Sequence, residues 1–240
     1  MFIGKFKIMQ LRSYFFILLV LAGFLTSCSK DNYDAPGSTF SGRIVYQGDP
    51  IEVEYNQVRF QLWQTGFGKL TPIDVVIKPD GSFSSLLFNG SYKLSFPGGQ
   101  GPYMTLHDGS SKDTLAIDIS GNKTMDINVV PYYMVRNPQF NVSNGAVGAN
   151  FSLEKIITDA NAKDIERVTL YLNNTVFVSG AANVANSNIN GSDITDLNNI
   201  TMSVNIPNLT RSQNYIFARI GVKISGVEDM IFSPVKELNF

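Results

Sequence analysis

From Thr39 onward, apolar and polar positions alternate with a period of two, and turn residues recur about every 8 to 12 positions. Phe40, Gly42, Ile44 and Tyr46 share one face of a first strand, which Gly48-Asp49-Pro50 ends. Val58, Phe60 and Leu62 share a face of the next, with Trp63 on the opposite one. A run at 73–77 closes on Pro79-Asp80-Gly81, a strong turn signal. Residues 82–88 meet Asn89-Gly90, the pair preferred in two-residue hairpins, and the chain returns through 91–96. Leu115, Ile117 and Ile119 alternate toward Gly121-Asn122, and Met125, Ile127 and Val129 alternate back. No stretch holds a 3.6-residue period. The pattern predicts an antiparallel sandwich of about seven strands over residues 38–131.

Pro131 marks a boundary. Beyond it, 133–136, 148–153, 167–172, 175–178, 200–206, 215–225 and 230–238 read as strands. Residues 159–166 have room for one helical turn. Asn208-Leu209-Thr210 ahead of the run from Tyr215 to Val222 resembles the corner and F strand of fibronectin-like and immunoglobulin-like modules. Ser233-Pro234 before a terminal strand fits the same modules. The expectation is an all-β chain of two tandem antiparallel β-sandwich domains, the second spanning 132–240.

The first 27 residues break this pattern. Lys5, Lys7 and Arg12 precede an apolar run over 14–25, shorter than the roughly 20 residues that span a bilayer. The run ends at Leu25-Thr26-Ser27-Cys28, which resembles a bacterial lipobox. A leader over 1–27 is therefore expected to be cut away, leaving Cys28 at the new N-terminus with diacylglycerol on its sulfur. Acyl chains at about 0.8 kcal/mol per buried methylene anchor such a protein to a membrane. Residues 28–37 read as a polar, lipidated tether. Ser29 after the Cys resembles outer-membrane sorting, and Lys30-Asp31 resembles the charged surface-export signal of Bacteroidetes lipoproteins. The expected location is the outer membrane, lipid-anchored and exposed at the cell surface.

Charge sharpens the picture. The whole chain has 19 Lys+Arg and 20 Asp+Glu, and removing the leader's three bases leaves 16 against 20. Neither predicted domain carries a basic footprint, so no nucleic-acid partner is expected. The single Cys excludes an internal disulfide, and the single His excludes a multi-histidine metal site. No cofactor is implied.

Several segments also resemble one family: Ser41-Gly42-Arg43-Ile44-Val45, Gln61-Leu62-Trp63-Gln64, Pro79-Asp80-Gly81-Ser82-Phe83, Leu87-Phe88-Asn89-Gly90-Ser91-Tyr92-Lys93-Leu94 and Val130-Pro131-Tyr132-Tyr133. These are similar to two-domain Bacteroidetes lipoproteins known only as a domain of unknown function. Such proteins are often found beside SusC/SusD-type glycan-uptake systems. The first half further resembles the carboxypeptidase-regulatory or transthyretin-like sandwich. The resemblance implies location, fold and SusC/SusD-type partners, and carries no catalytic residues.

Candidate chemistry is sparse. Trp63 on an outer sheet face could stack on a sugar ring, whose axial C–H groups pack on a π-face. The glycine-rich loop 97–103 lacks the Lys-Ser/Thr of a phosphate loop, and is expected to present Tyr103 near His107 and Asp108 as ligand contacts. Asp113-Thr114-Leu115 resembles a Bacteroidetes O-glycosylation motif, with Thr114 as acceptor. Residues 186–193 have calcium-loop spacing. Amides stand where carboxylates should, and Leu197 takes the twelfth position, so 183–199 reads as a polar loop. Glu52 and Glu54, two apart on one strand, cannot bracket a glycosidic bond and read as an exposed face or edge guard. The expected role is a non-enzymatic, carbohydrate-binding accessory of glycan uptake. The alternative is a spacer or protein–protein adaptor.

Overall fold

The computed structural model describes residues 35–66, 69–105, 114–209 and 213–240. Cys28, His107 and Asp108 lie outside the described residues. Pro36–Phe240 forms one compact unit. Among the described residues, no helix is long and apolar enough to cross a membrane.

The first domain holds β1 (Ser38–Tyr46), β2 (Asp49–Pro50), β3 (Arg59–Gln64), β4 (Pro72–Val76), β5 (Ser82–Leu87), β6 (Gly90–Ser95), β7 (Tyr103–Thr105), β8 (Thr114–Ile119), β9 (Lys123–Thr124) and β10 (Ile127–Pro131). One sheet runs β4-β3-β6-β8, antiparallel throughout. The other is built around β1, which pairs with β2, β5, β9 and β10, and β7 extends it beyond β10. Between the sheets, Phe60 and Phe83 meet edge to face at 4.9 Å, and Phe40 lies 5.1 Å from Phe83. Phe40, Ile44, Val58, Phe60 and Leu62 are fully buried, as their alternation predicts.

Two expected hairpins are instead crossings between sheets. β5 pairs with β1, whereas β6 pairs with β3 and β8, so Asn89-Gly90 carries the chain from one sheet to the other. The Asn89 side chain explains the difference. Its Oδ1 accepts from the Ser38 hydroxyl at 2.6 Å and from the Gly121 N–H at 2.8 Å, bracing the sandwich end. Gly121-Asn122 makes the return crossing, from β8 to β9 and β10. There β1 runs parallel to both, with Phe40 opposite Lys123 and Ile44 opposite Ile127, so the domain is not antiparallel throughout.

The second domain holds β11 (Tyr133–Ser143), β12 (Ala146–Lys155), β13 (Ile165–Asn173), β14 (Ala185–Asn190), β15 (Ile200–Asn205), β16 (Tyr215–Ile224), β17 (Ile231–Phe232) and β18 (Lys236–Asn239). A three-stranded sheet β11-β12-β15 faces a sheet of β14-β13-β16, whose far side is shared by β17 and β18. The expected last strand is split around Ser233-Pro234. Residues 175–178 are a loop rather than a strand. The stretch read as a polar loop contains β14, where half-buried Ala185, Ser187 and Ile189 alternate with exposed Asn186, Asn188 and Asn190. Asparagine is a poor strand former, and it masks the alternation.

No linker separates the domains: β10 ends at Pro131 and β11 starts at Tyr133. One buried apolar cluster runs through both, from Phe40 to Leu238. A charged pin crosses the junction. Arg219 on β16 is 1% exposed, with Nε donating to the Ser233 carbonyl at 2.9 Å and Nη1 to the Val53 carbonyl at 3.1 Å. Its Nη2 donates to Glu52 at 3.1 Å and to the Pro79 carbonyl at 2.8 Å. Its guanidinium lies 4.4 Å from the Phe232 ring centre. Glu52 is therefore an inter-domain partner, not an exposed edge guard. Glu54 crosses the same junction, accepting from the Ala181 N–H at 3.2 Å. Asp229 accepts from the Gly101 N–H at 2.7 Å, and Arg136 pairs with Asp49 across the domains and with Glu154 beside it.

Candidate functional site

The junction also positions an exposed aromatic pair. After its bridge to Phe232, the chain turns at 55–57 before entering β3, and this turn leaves Tyr55 outside. On the other domain, the loop between β13 and β14 pushes Val176 and Phe177 outward. Its shape is set by its own side chains. Asn173 Nδ2 donates to the Phe177 carbonyl and to Thr175, and Asn183 Nδ2 donates to the Ser179 and Gly180 carbonyls. Ser179 and Ala182 exchange backbone bonds at 3.0 and 3.3 Å. The loop is thus held with two large apolar residues exposed.

Tyr55 and Phe177 are 59% and 51% exposed, and their rings meet edge to face at 5.1 Å. Behind them lies a cavity of about 340 Å³, lined by both domains, with Glu54 and Pro79 on one side and Val178, Ser179 and Ala182 on the other. Arg219 closes its floor. Burial pushes the Glu52 carboxyl up from its ordinary value, against the downward pull of the Arg219 charge. Exposed aromatics beside an apolar cavity make this the candidate binding surface.

The residues singled out in the sequence are not gathered there. Trp63 lies half-buried on the outer face of β3, its Nε1 donating to the Ser95 hydroxyl at 2.9 Å. Thr114 opens β8 opposite Ser95, which puts it on that same outer face. Tyr103 is not presented by the glycine-rich loop. It is 5% exposed, and its ring lies beneath Gly101, where a Cβ would come within 2.2 Å of it. Among the described residues its buried hydroxyl has no hydrogen-bond partner, and burial, together with the Asp229 charge, pushes its pKa up. A second cleft of about 300 Å³ lies beneath this loop, bounded by Tyr132, Lys163 and Glu228. Asn186, Asn188 and Asn190 lie in a row on β14, roughly 7 Å apart, and cannot wrap one ion. Among the described residues, no group of three or more His, Cys, Asp or Glu side chains could hold a metal.

The sequence does not single out the Tyr55–Phe177 pair, because Thr175-Val176-Phe177-Val178 reads as a strand. The available signal was its flanks: Asn173-Asn174 and Ser179-Gly180 leave too few residues between them for a typical strand.

Comparison with known proteins follows the domain division. Residues 38–130 match the N-terminal domain of a protein of unknown function, DUF3823, and residues 133–237 match the domain of unknown function described as its C-terminal part. No curated protein matches the chain. A DUF3823 family protein from Parabacteroides merdae is 31% identical, covering 86% of this chain and 100% of its own, with a TM-score of 0.74. One from Bacteroides ovatus is 30% identical, covering 85% and 99%, also at 0.74. A Bacteroides uniformis protein described as a candidate carbohydrate binding protein shares the fold at 16% identity, covering 86% and 100%, with a TM-score of 0.66.

Proposed function

The chain belongs to the DUF3823 family, carrying both of its domains in order, and from that premise we propose that it is a surface-anchored outer-membrane lipoprotein serving glycan uptake as a non-enzymatic carbohydrate-binding accessory. The exposed Tyr55–Phe177 pair at the mouth of the junction cavity carries this reading. A pyranose offers an apolar face of axial C–H groups and a rim of hydroxyls. The two rings suit the first, and the Glu54 carboxylate suits the second. The Bacteroides uniformis protein of the same fold, described as a candidate carbohydrate binding protein, supports the same direction. Anchoring rests on Cys28 in its lipobox-like setting, and association with SusC/SusD-type membrane proteins rests on the family resemblance.

The welded domain junction favours a second reading, a rigid spacer or adaptor that holds a partner above the membrane. A glycan array probed with the chain from Asp31 onward separates the two. A carbohydrate binder retains at least one polysaccharide. An adaptor retains none and recovers a protein partner from envelope extracts without sugar. Cys28→Ser is expected to move the protein from the membrane fraction to the soluble fraction and to abolish palmitate labelling. Unchanged fractionation and labelling would contradict the anchor.

A further inference from the structure

Resting on that carbohydrate-binding reading, we infer that the Tyr55–Phe177 cleft selects uncharged glycans and turns away acidic ones. Three features of the cavity agree on this.

Among the described residues, Arg219 is the one cation on the cavity wall, and it is not free to grip a ligand. The side chain is 1% exposed and its fork is committed to the Ser233, Val53 and Pro79 carbonyls and to Glu52. Arginine recognises a carboxylate or sulfate through parallel N–H bonds from an open fork. Here four of its five N–H groups are bonded within the protein, and Glu52 offsets its charge. The face of the guanidinium is likewise taken, lying against the Phe232 ring.

Among the described residues, the other charge that lines the cavity is negative. Glu54 lines the cavity and spends only Oε1 on the Ala181 N–H, which leaves its other oxygen to accept from a ligand. Glu52 and Asp80 lie close enough to act on Arg219 together with Glu54. A uronic acid or sulfate ester placed here would meet the Glu54 carboxylate and one spent cation. The exposed rings complete the set, because the π-face of tyrosine or phenylalanine is itself the negative end of a quadrupole. Hydroxyl groups, which donate, suit both Glu54 and the ring faces. A ligand carboxylate, which only accepts, suits neither of them.

Affinity electrophoresis tests this with neutral probes (laminarin, xyloglucan and mannan) and acidic ones (polygalacturonate and chondroitin sulfate). The result expected is retardation by a neutral probe, none by an acidic one, and loss of the retardation in Phe177→Ala. Glu54→Gln keeps the backbone bond and removes one charge. The amide puts a donor where the carboxylate accepted, so it is expected to weaken neutral binding and to strengthen acidic binding by about fivefold. Retardation by an acidic probe equal to or stronger than by the neutral ones, and lost in Phe177→Ala, overturns the selectivity while leaving the sugar site standing. No retardation by any probe overturns the carbohydrate-binding reading itself, and retardation that Phe177→Ala leaves unchanged overturns the assignment of binding to this cleft.

Discussion

Arg219→Met is expected to lower the unfolding free energy by about 3–5 kcal/mol, read from urea denaturation. The side chain satisfies three backbone carbonyls and one carboxylate, drawn from two domains, while 1% exposed. Methionine fills a similar volume but donates nothing. Glu52 would be left as a largely buried carboxylate without a partner, and the Val53, Pro79 and Ser233 carbonyls would lose their donors. Arg219→Met with Glu52→Leu should recover part of the loss, because removing both charges is far cheaper than removing one. Glu52 also gives the junction a pH signature. Its carboxyl is raised in the folded state, chiefly by burial, so the native protein holds that proton more tightly than the unfolded chain does. The resulting stabilisation is fully present below the ordinary carboxylate value near 4.3 and is lost as pH rises through the folded value. Glu52→Gln should flatten the stability profile across that window. Unfolding of Arg219→Met at the wild-type midpoint would show that the pin contributes little.

The double substitution Tyr55→Ala, Phe177→Ala should leave the fold intact and remove sugar binding. Each ring is more than half exposed, so its loss should cost under about 1 kcal/mol of stability. In binding, a central aromatic anchor is typically worth about 2 kcal/mol, or roughly 30-fold in affinity. The rings touch at 5.1 Å, so their effects should not add: the second truncation should cost less than the first. Isothermal titration with a retained oligosaccharide gives both values. Trp63→Ala serves as the contrast. Trp63 lies on the outer face of β3, where it is bound to Ser95, and its removal should leave affinity unchanged.

The strands of this protein were legible because alternation is a local signal. Val58, Phe60 and Leu62 bury one face whatever they pair with. Pairing is not local. Asn89-Gly90 satisfies the chemistry of a hairpin turn, yet it crosses between sheets because Asn89 is claimed by Ser38 and Gly121, 51 and 32 residues away. The parallel register of β1 with β10 was hidden for the same reason, since alternation does not record strand direction. The site was less legible than the fold. Residues 175–178 read as a strand, and the asparagine-braced loop turns Val176 and Phe177 outward. Arg219 did carry a signal: it is the one charge inside the apolar run from Tyr215 to Val222. A charge in such a strand must be paired when buried, and Glu52-Val53-Glu54 offered the matching acids.

The most direct test of the binding site is an intermolecular NOE measurement between the ring protons of Tyr55 and Phe177 and the axial protons of a bound neutral oligosaccharide. Ring-to-sugar cross-peaks from both residues, with none from Trp63, are the predicted result. Cross-peaks from Trp63, with none from Tyr55 or Phe177, would contradict it.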